Sequence, residues 1–367
     1  MRLLIATGLY SPEIGGPATY TAFLERHLPS HGIGLTVVPF RIVRGYPKLV
    51  RHIAYAFRLA RAARRADVIL ALDTVSVGVP AMLASFLTRR PLYLRVPGDY
   101  AWEQGQQRAG LHVTLDEYLE NGPRPLLVRV LAWLQKRVAS SAHRIIVPSE
   151  YLKGVVRHWG IQGENVTVIH SAYHPIELKE NRDELRARLK YEGYVVLTAG
   201  RLVPWKGMKT VIDAVALIRA SGILISLDIV GEGEEYEPLR RHIEELSASG
   251  FVHLRGREPK RILSERVKAA DTFILNTSYE GLSHQLLEVM DLGTPIVTTP
   301  VCGNIELIED EKEGLLVPYD AKDAIVGALE RLRTDTGLRT KLTEAARARV
   351  RAFSEDEVVK DLVNFFS

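Results

Sequence analysis

Short apolar runs alternate with amphipathic segments along nearly the whole chain. The runs that predict strands are 3–7, 35–39, 68–72, 92–96, 144–148 and 166–170 in the first half, and 195–199, 226–230, 252–255, 272–276, 295–298 and 314–317 in the second. They are rich in Val, Ile and Leu without clean alternation, which is typical of strands covered on both faces. Helical spacing predicts helices at 17–27, 48–64, 129–140, 207–219, 235–246, 259–269 and 285–292. This order predicts two doubly wound α/β domains.

The stretch 171–194 separates the two halves, because it holds Pro175 and many charges but no strand pattern. A short helix is predicted within it at 183–189. We therefore predict an N-terminal domain over residues 1–172 and a C-terminal domain over 190–353. Residues 354–367 form a tail helix whose apolar positions suggest that it docks back on the N-terminal domain.

The composition fits two globular domains, since 46% of the 367 residues are hydrophobic and 25% are charged. The single cysteine, Cys302, excludes an intrachain disulfide and a cysteine-based zinc cluster. The apolar run at 3–6 is too short for a signal peptide. The longer stretch at 68–87 contains Asp73 and Pro80, which favour a strand and a helix over a membrane span. We therefore expect a cytoplasmic protein.

The net charge of +4 is unevenly distributed. Residues 1–170 hold 21 Lys and Arg against 11 Asp and Glu, a balance of +10, and the remainder has a balance of −6. The basic half is either an ordinary solvated surface or a domain that meets an anionic partner.

The segment 280–288 (EGLSHQLLE) follows a predicted strand and opens a helix. Amides at such a helix start carry partial positive charge and suit a diphosphate. Glu288, further along the helix, could accept hydrogen bonds from two neighbouring hydroxyls, as on a ribose. Glu280 could hold sugar hydroxyls. The alternative is two acids without a binding role.

Two further loops follow predicted strands. In residues 200–207 (GRLVPWKG), Arg201 and Lys206 project at the carboxyl end of a strand, where ligands bind in open α/β sheets. In residues 11–17 (SPEIGGP), the paired Gly15 and Gly16 permit close approach of a ligand, and Pro17 suits the first turn of a helix. The absence of G-x-G-x-x-G speaks against a dinucleotide site.

With these motifs the chain resembles the retaining glycosyltransferases of GT-B fold, and specifically glycosyltransferase family 4 with its group 1 relatives. Their hallmark is a pair of glutamates at the spacing of Glu280 and Glu288. Residues 279–297, 200–207, 303–306 and 314–318 and the glycine pair at 15–16 match the family's motifs in order. The resemblance implies two Rossmann-like domains facing a central cleft, and retaining transfer of a sugar from a nucleoside-diphosphate donor. It implies no metal and no further cofactor.

The resemblance also assigns roles. Arg201 and Lys206 would neutralise the diphosphate, and Glu288 would hold the ribose. Glu280 and the segment Gly281, Leu282 and Ser283 would bind the donor sugar and phosphate. The remaining assignments are Arg257 near the base, Gly16 against the phosphate across the cleft, and Gly15 with Gly16 on the acceptor side.

Two departures from the family pattern affect these roles. Ser283 and Gln285 replace a usual glycine and proline that face the donor sugar. The first domain lacks the usual active-site histidine in residues 95–100. Asp99 is the best substitute there, with a helix cap or turn residue as its alternative role. His112, His143, His158 and His174 have no metal-like spacing.

Three other functions remain open. These are a Rossmann-type oxidoreductase, a catalytically inactive GT-B binding subunit, and an epimerase or phosphorylase of related fold. The expected partners are a nucleotide-sugar donor and a sugar or lipid-linked acceptor, with no nucleic acid.

The helix at 48–65 has a basic side that could bind a membrane. Lys48, Arg51, Arg58 and Arg65 recur at helical spacing after Arg44, beside an apolar stripe of Ile53, Phe57 and Ala60. The alternative is a solvated helix packed on its own sheet. Because each basic residue near an anionic surface contributes about 1 kcal/mol, we predict salt-sensitive peripheral association with the inner face of the membrane.

Overall fold

The computed structural model describes residues 1–13, 15–111, 113–122, 124–173 and 175–367. The chain divides into two compact units. Unit 1 comprises Met1–His170 and Val358–Ser367, and unit 2 comprises Ser171–Glu357. Each unit contains one six-stranded sheet, and every strand pairing is parallel.

Unit 1 has the strand order β2-β1-β3-β4-β5-β6. Its strands are β1 (Arg2–Thr7), β2 (Gly34–Pro39), β3 (Val68–Ala71), β4 (Leu92–Arg95), β5 (Arg144–Val147) and β6 (Val166–Val168). Its helices are α1 (Gly16–His27), α2 (Lys48–Ala63), α3 (Gly78–Thr88), α4 (Tyr100–Arg108), α5 (Leu115–Glu120), α6 (Leu126–Ser141) and α7 (Glu150–His158). Short 3-10 turns occur at Leu28–His31 and Phe40–Val43.

Unit 2 has the strand order β12-β11-β10-β7-β8-β9. Its strands are β7 (Tyr194–Ala199), β8 (Ile225–Val230), β9 (Val252–Gly256), β10 (Thr272–Leu275), β11 (Ile296–Thr298) and β12 (Leu315–Leu316). Its helices are α8 (Arg182–Leu189), α9 (Met208–Ala220), α10 (Tyr236–Glu245), α11 (Lys260–Ala269), α12 (His284–Leu292), α13 (Asn304–Leu307), α14 (Lys322–Thr334) and α15 (Thr336–Val350). The 3-10 turns are Pro204–Lys206 and Arg351–Phe353, and α16 (Glu355–Phe366) ends the chain.

Helices cover both faces of the second sheet, which explains why its strands do not alternate. Val196 belongs to the core on one face, whereas Val195 and Leu197 belong to the core on the other. Successive side chains of a strand point to opposite faces, so both must be apolar here. The predicted doubly wound α/β class is confirmed.

The last helix, α16, packs on unit 1. Its Phe365 and Phe366 rings lie 5.4 and 6.1 Å from the Tyr93 ring, and Arg144 donates a hydrogen bond to the Phe365 carbonyl. At the other boundary, α8 belongs to unit 2, because Arg186 forms an ion pair of 2.9 Å with Asp271. The boundary predicted from the sequence lies at residue 190 instead, after α8.

Candidate functional site

The loops after β7 and β10 are locked together at the carboxyl edge of the second sheet. The two strands are neighbours. Asn276 Nδ2 donates to the Gly207 carbonyl at 2.9 Å, and the Thr277 hydroxyl donates to the Trp205 carbonyl at 3.1 Å. On one side of this pair the chain continues from β7 to β8 and β9, and on the other side it continues from β10 to β11 and β12. Open α/β sheets bind ligands at such a point, where the strand order changes direction.

Lys206 and Glu280 meet within these loops as an ion pair between Nζ and Oε2. Lys206 ends the 3-10 turn and is only 8% exposed, so its ammonium is held in one place. Gly207 follows with φ of 48°, and a Cβ there would lie 2.4 Å from Asn276 Nδ2. The turn therefore requires glycine, and it fixes a buried cation beside a carboxylate.

Arg201 is exposed at the start of the same loop. Its guanidinium carbon lies 5.8 Å from the centre of the buried Trp205 ring. The loop passes very close to the turn after β8. A Cβ on Gly231 would lie 1.8 Å from the Gly200 carbonyl oxygen, and a Cβ on Gly233 would lie 2.1 Å from the Leu202 carbonyl oxygen. Sequence reasoning missed these two glycines. Their signal was a pair of glycines directly after a predicted strand.

The segment 280–283 leads into α12 as predicted. Ser283 caps the helix, since its hydroxyl accepts a hydrogen bond from the Leu286 amide at 3.3 Å. A neighbouring loop supports the segment from behind. The Gly303 amide donates to the Glu280 carbonyl at 3.0 Å, and a Cβ on Gly303 would lie 2.2 Å from the Gly281 carbonyl oxygen. Backbone packing thus holds the helix start in position.

Glu288 lies in the second turn of α12 and faces the start of α11. Lys260 Nζ lies 2.9 Å from Glu288 Oε1, and both side chains keep some solvent exposure. Glu288 is therefore a carboxylate with an accessible, cationic neighbour. Arg257 is exposed after β9, at the edge of the sheet beyond β8.

In unit 1, the loop after β1 leads into α1 as the sequence predicts. Gly15 has φ of 154°, and a Cβ there would meet the Leu9 side chain at 2.7 Å. Gly16 begins α1, and a Cβ at Gly16 would meet no atom of the described residues within 4 Å. Ile14 lies outside the described residues. Among the described residues, the position beside Gly16 is therefore open.

Asp99 is a helix cap. Its Oδ1 accepts from the Trp102 amide at 2.9 Å, its Oδ2 accepts from Trp159 Nε1 at 3.0 Å, and the residue has no solvent exposure. Burial raises the pKa of its carboxyl group. Both oxygens are thus committed inside unit 1, which favours the capping alternative over contact with a substrate.

The predicted basic side of α2 is only partly formed. Arg44 pairs with Glu13, and the Arg51 guanidinium packs on the Phe40 ring with its carbon 5.6 Å from the ring centre. Arg58 and Arg65 are exposed, and the side chain of Lys48 lies outside the description. Of the apolar stripe, Ile53 and Phe57 face solvent and Ala60 is buried.

No described group of three or more His, Cys, Asp or Glu side chains could hold a metal ion. His112 and His174 lie outside the described residues. Within the described ranges, no helix combines the length and apolarity needed to cross a bilayer.

Comparisons with known families cover both units. The family described as glycosyl transferases group 1 matches residues 180–349, and the glycosyl transferase 4-like domain matches residues 5–172. The lipopolysaccharide core biosynthesis glycosyltransferase LpsE of Rhizobium meliloti is 34% identical over 150 residues, 41% of this chain and 42% of LpsE. The α-D-kanosaminyltransferase of Streptomyces kanamyceticus is 25% identical over 62% of each chain. These matches span about half the length of the curated relatives.

Solved structures share the fold along the whole chain. HepE of Anabaena, crystallised with UDP and glucose, has a TM-score of 0.78 at 20% identity and covers 100% of this chain and 99% of its own. Sucrose-phosphate synthase of Thermosynechococcus elongatus has a TM-score of 0.81 at 17% identity, covering 100% and 98%.

Proposed function

The chain belongs to the group 1 glycosyltransferases, and on that premise we propose that it transfers a sugar from a nucleoside-diphosphate donor to an acceptor hydroxyl. The observation that carries the proposal is the contact of Lys206 with Glu280 between two loops at the carboxyl edge of β7 and β10. A buried cation beside a helix start suits a diphosphate, and a neighbouring carboxylate suits sugar hydroxyls.

The donor would lie along this edge. Lys206 and Arg201 neutralise the diphosphate, Glu280 and the amides after it hold the sugar and phosphate, and Glu288 accepts hydrogen bonds from the ribose. Arg257 lies near the base. UDP-sugars are the first donors to test, because the HepE structures contain UDP or UDP-glucose.

The reaction proceeds with retention at the anomeric carbon. The bond from that carbon to the diphosphate breaks, and its electron pair leaves with the diphosphate. The acceptor oxygen forms the new bond on the same face, and its proton passes to the departing phosphate. Lys206 and Arg201 stabilise the developing negative charge, which is greatest in the transition state. This route uses neither Asp99 nor a metal ion.

The acceptor is a sugar of a cell-envelope glycan or a lipid-linked precursor at the inner face of the membrane. Support comes from relatives such as LpsE and the putative colanic acid biosynthesis glycosyltransferase WcaL, which is 28% identical over 46% of this chain. The basic residues of α2 suit peripheral association with an anionic membrane.

A thermal-shift panel of UDP-, GDP- and ADP-sugars tests the donor site. A true donor at a hundred times its Kd should stabilise unit 2 by about 2.7 kcal/mol. Turnover with that donor separates an enzyme from an inactive binding subunit. Stabilisation by a nicotinamide nucleotide instead would favour the oxidoreductase alternative and contradict the proposal.

A further inference from the structure

Three helices of unit 1 carry large apolar side chains that face solvent. The most exposed are Phe86 (84%), Leu126 (75%), Phe57 (67%) and Trp133 (64%). The helices α2 and α3 contact each other, and α3 also contacts α6. The exposed apolar residues on the three are Val50, Ile53, Phe57, Leu83, Phe86, Leu87, Leu126, Leu127, Val130 and Trp133, which we call the α2–α3–α6 face.

These side chains do not take part in the buried core of unit 1. On α2, Val50, Ile53 and Phe57 share one side of the helix, whereas Tyr55 and Leu59 on the other side are fully buried. The helix thus has a second apolar side that its own sheet does not cover. Large contiguous apolar patches on a protein surface mark sites of interaction.

The charged residues within the three helices are all cationic. None of the three helices contains an Asp or Glu. All strands of the sheet are parallel, so the helices that connect them run in the same direction and end at the same edge. Exposed cations lie at those ends, namely Arg61, Arg64 and Arg65 for α2, Arg89 for α3, and Lys136 and Arg137 for α6. The apolar face is therefore bordered by a cationic band.

We propose that the α2–α3–α6 face docks on an anionic lipid bilayer. The apolar side chains enter the boundary between headgroups and acyl chains, and the cationic band contacts lipid phosphates. The other candidate partner for this face is a second copy of this chain. Charge favours the bilayer, because two copies would bring their cationic bands against each other. The inference rests on the membrane-side acceptor of the proposed function and deepens it, since it replaces one basic helix by a three-helix surface.

This arrangement predicts two components of binding. Attraction between the cationic band and anionic lipid weakens as salt rises. Burial of apolar side chains is not screened, so a part of the binding should persist at high salt. Association through the basic side of α2 alone would be lost at high salt.

Trp133 reports on the docking directly. The other three tryptophans, Trp102, Trp159 and Trp205, are buried. The full chain is mixed with vesicles of phosphatidylcholine and phosphatidylglycerol, or of phosphatidylcholine alone. We expect the tryptophan emission to move to shorter wavelength with the anionic vesicles, and brominated lipid to quench it. Trp133→Phe should remove both signals while the protein still sediments with the vesicles.

Two sets of variants separate the components in vesicle sedimentation. Serine at Phe57, Phe86, Leu126 and Trp133 should lower vesicle partitioning on the order of a hundredfold. A matched control places serine at four exposed apolar residues of unit 2, namely Leu217, Leu224, Leu246 and Ile305, and should change partitioning by less than about threefold. Glutamine at Arg61, Arg64 and Arg65 should lower partitioning roughly a hundredfold at low salt and far less at high salt.

Three results would overturn the proposal. These are no shift of the Trp133 emission with anionic vesicles, equal loss of partitioning in the variant and its matched control, and a shift that follows protein concentration without lipid. The last would indicate a second copy of the chain. UDP titration of the serine variant should give the parent's Kd, since the donor site is on unit 2. Vesicle binding without nucleotide binding would refute the proposed function and leave this surface standing.

Discussion

Glu288 offers the sharpest test of the donor site, because replacing it should weaken nucleotide binding while leaving the fold intact. Its Oε1 lies 2.9 Å from Lys260 Nζ, and its side chain is 22% exposed against 48% for the lysine. Replacing Glu288 by glutamine keeps the shape of the side chain and removes its charge. An ion pair this exposed contributes about 0–1 kcal/mol, so the variant should stay folded.

The effect on nucleotide binding should be larger. Hydrogen bonds from ribose hydroxyls to a carboxylate contribute about 1.5–3 kcal/mol, which corresponds to roughly tenfold to a hundredfold weaker binding in Glu288→Gln. If Lys260 competes with the ribose for this carboxylate, Lys260→Gln should tighten binding by at most about fivefold.

The assay is calorimetric titration of UDP and of 2′-deoxy-UDP into the parent and the variants. The parent should prefer the ribonucleotide, and Glu288→Gln should reduce that preference. Glu309→Gln is the matched control, because Glu309 also lies 2.9 Å from a lysine Nζ, that of Lys312. An unchanged UDP affinity in Glu288→Gln, or an equal loss in Glu309→Gln, would refute the assignment of Glu288 to the ribose.

Three further predictions follow from contacts elsewhere in the chain. Lys206→Ala should lower turnover at saturating donor by about 10²–10³, the usual effect of removing one preorganised charge-stabilising group; near-normal turnover would exclude the role. Asp99→Ala should cost about 1–2 kcal/mol of unfolding free energy in urea, because the cap of α4 and the partner of Trp159 Nε1 are lost. Turnover of the folded Asp99 variant should fall less than about tenfold, and a larger loss would restore a direct role. Gly303→Ala should weaken UDP binding at least about tenfold. The new Cβ would lie 2.2 Å from the Gly281 carbonyl oxygen and would push the Gly281 backbone away. A UDP affinity equal to the parent's in calorimetric titration would contradict this.

The fold was predictable because parallel strands buried on both faces leave a strong local signal. All twelve strands occur at their predicted places within a few residues, and the tail helix predicted within 354–367 spans Glu355–Phe366. The contact of Lys206 with Glu280 did not follow from local pattern alone. It depends on β10 lying beside β7, and that adjacency comes from packing between strands far apart in the sequence.

Long-range partners also explain what sequence reasoning could not decide. Asp99 fits both a cap and an active-site acid until Trp159, sixty residues away, is seen to donate to its carboxylate. Periodicity showed an apolar stripe on α2, but not that Ile53 and Phe57 point away from the sheet. When a helix has two apolar sides, the periodicity of its sequence does not indicate which of the two sides is buried.

The central claim is sugar transfer with retention from a nucleoside-diphosphate donor. The most direct measurement is proton NMR of the linkage formed from the donor that the thermal-shift panel identifies, with the Lys206→Ala protein as the negative control. We expect the new linkage to have the anomeric configuration of the donor sugar. A product of inverted configuration would contradict the retaining assignment of this site.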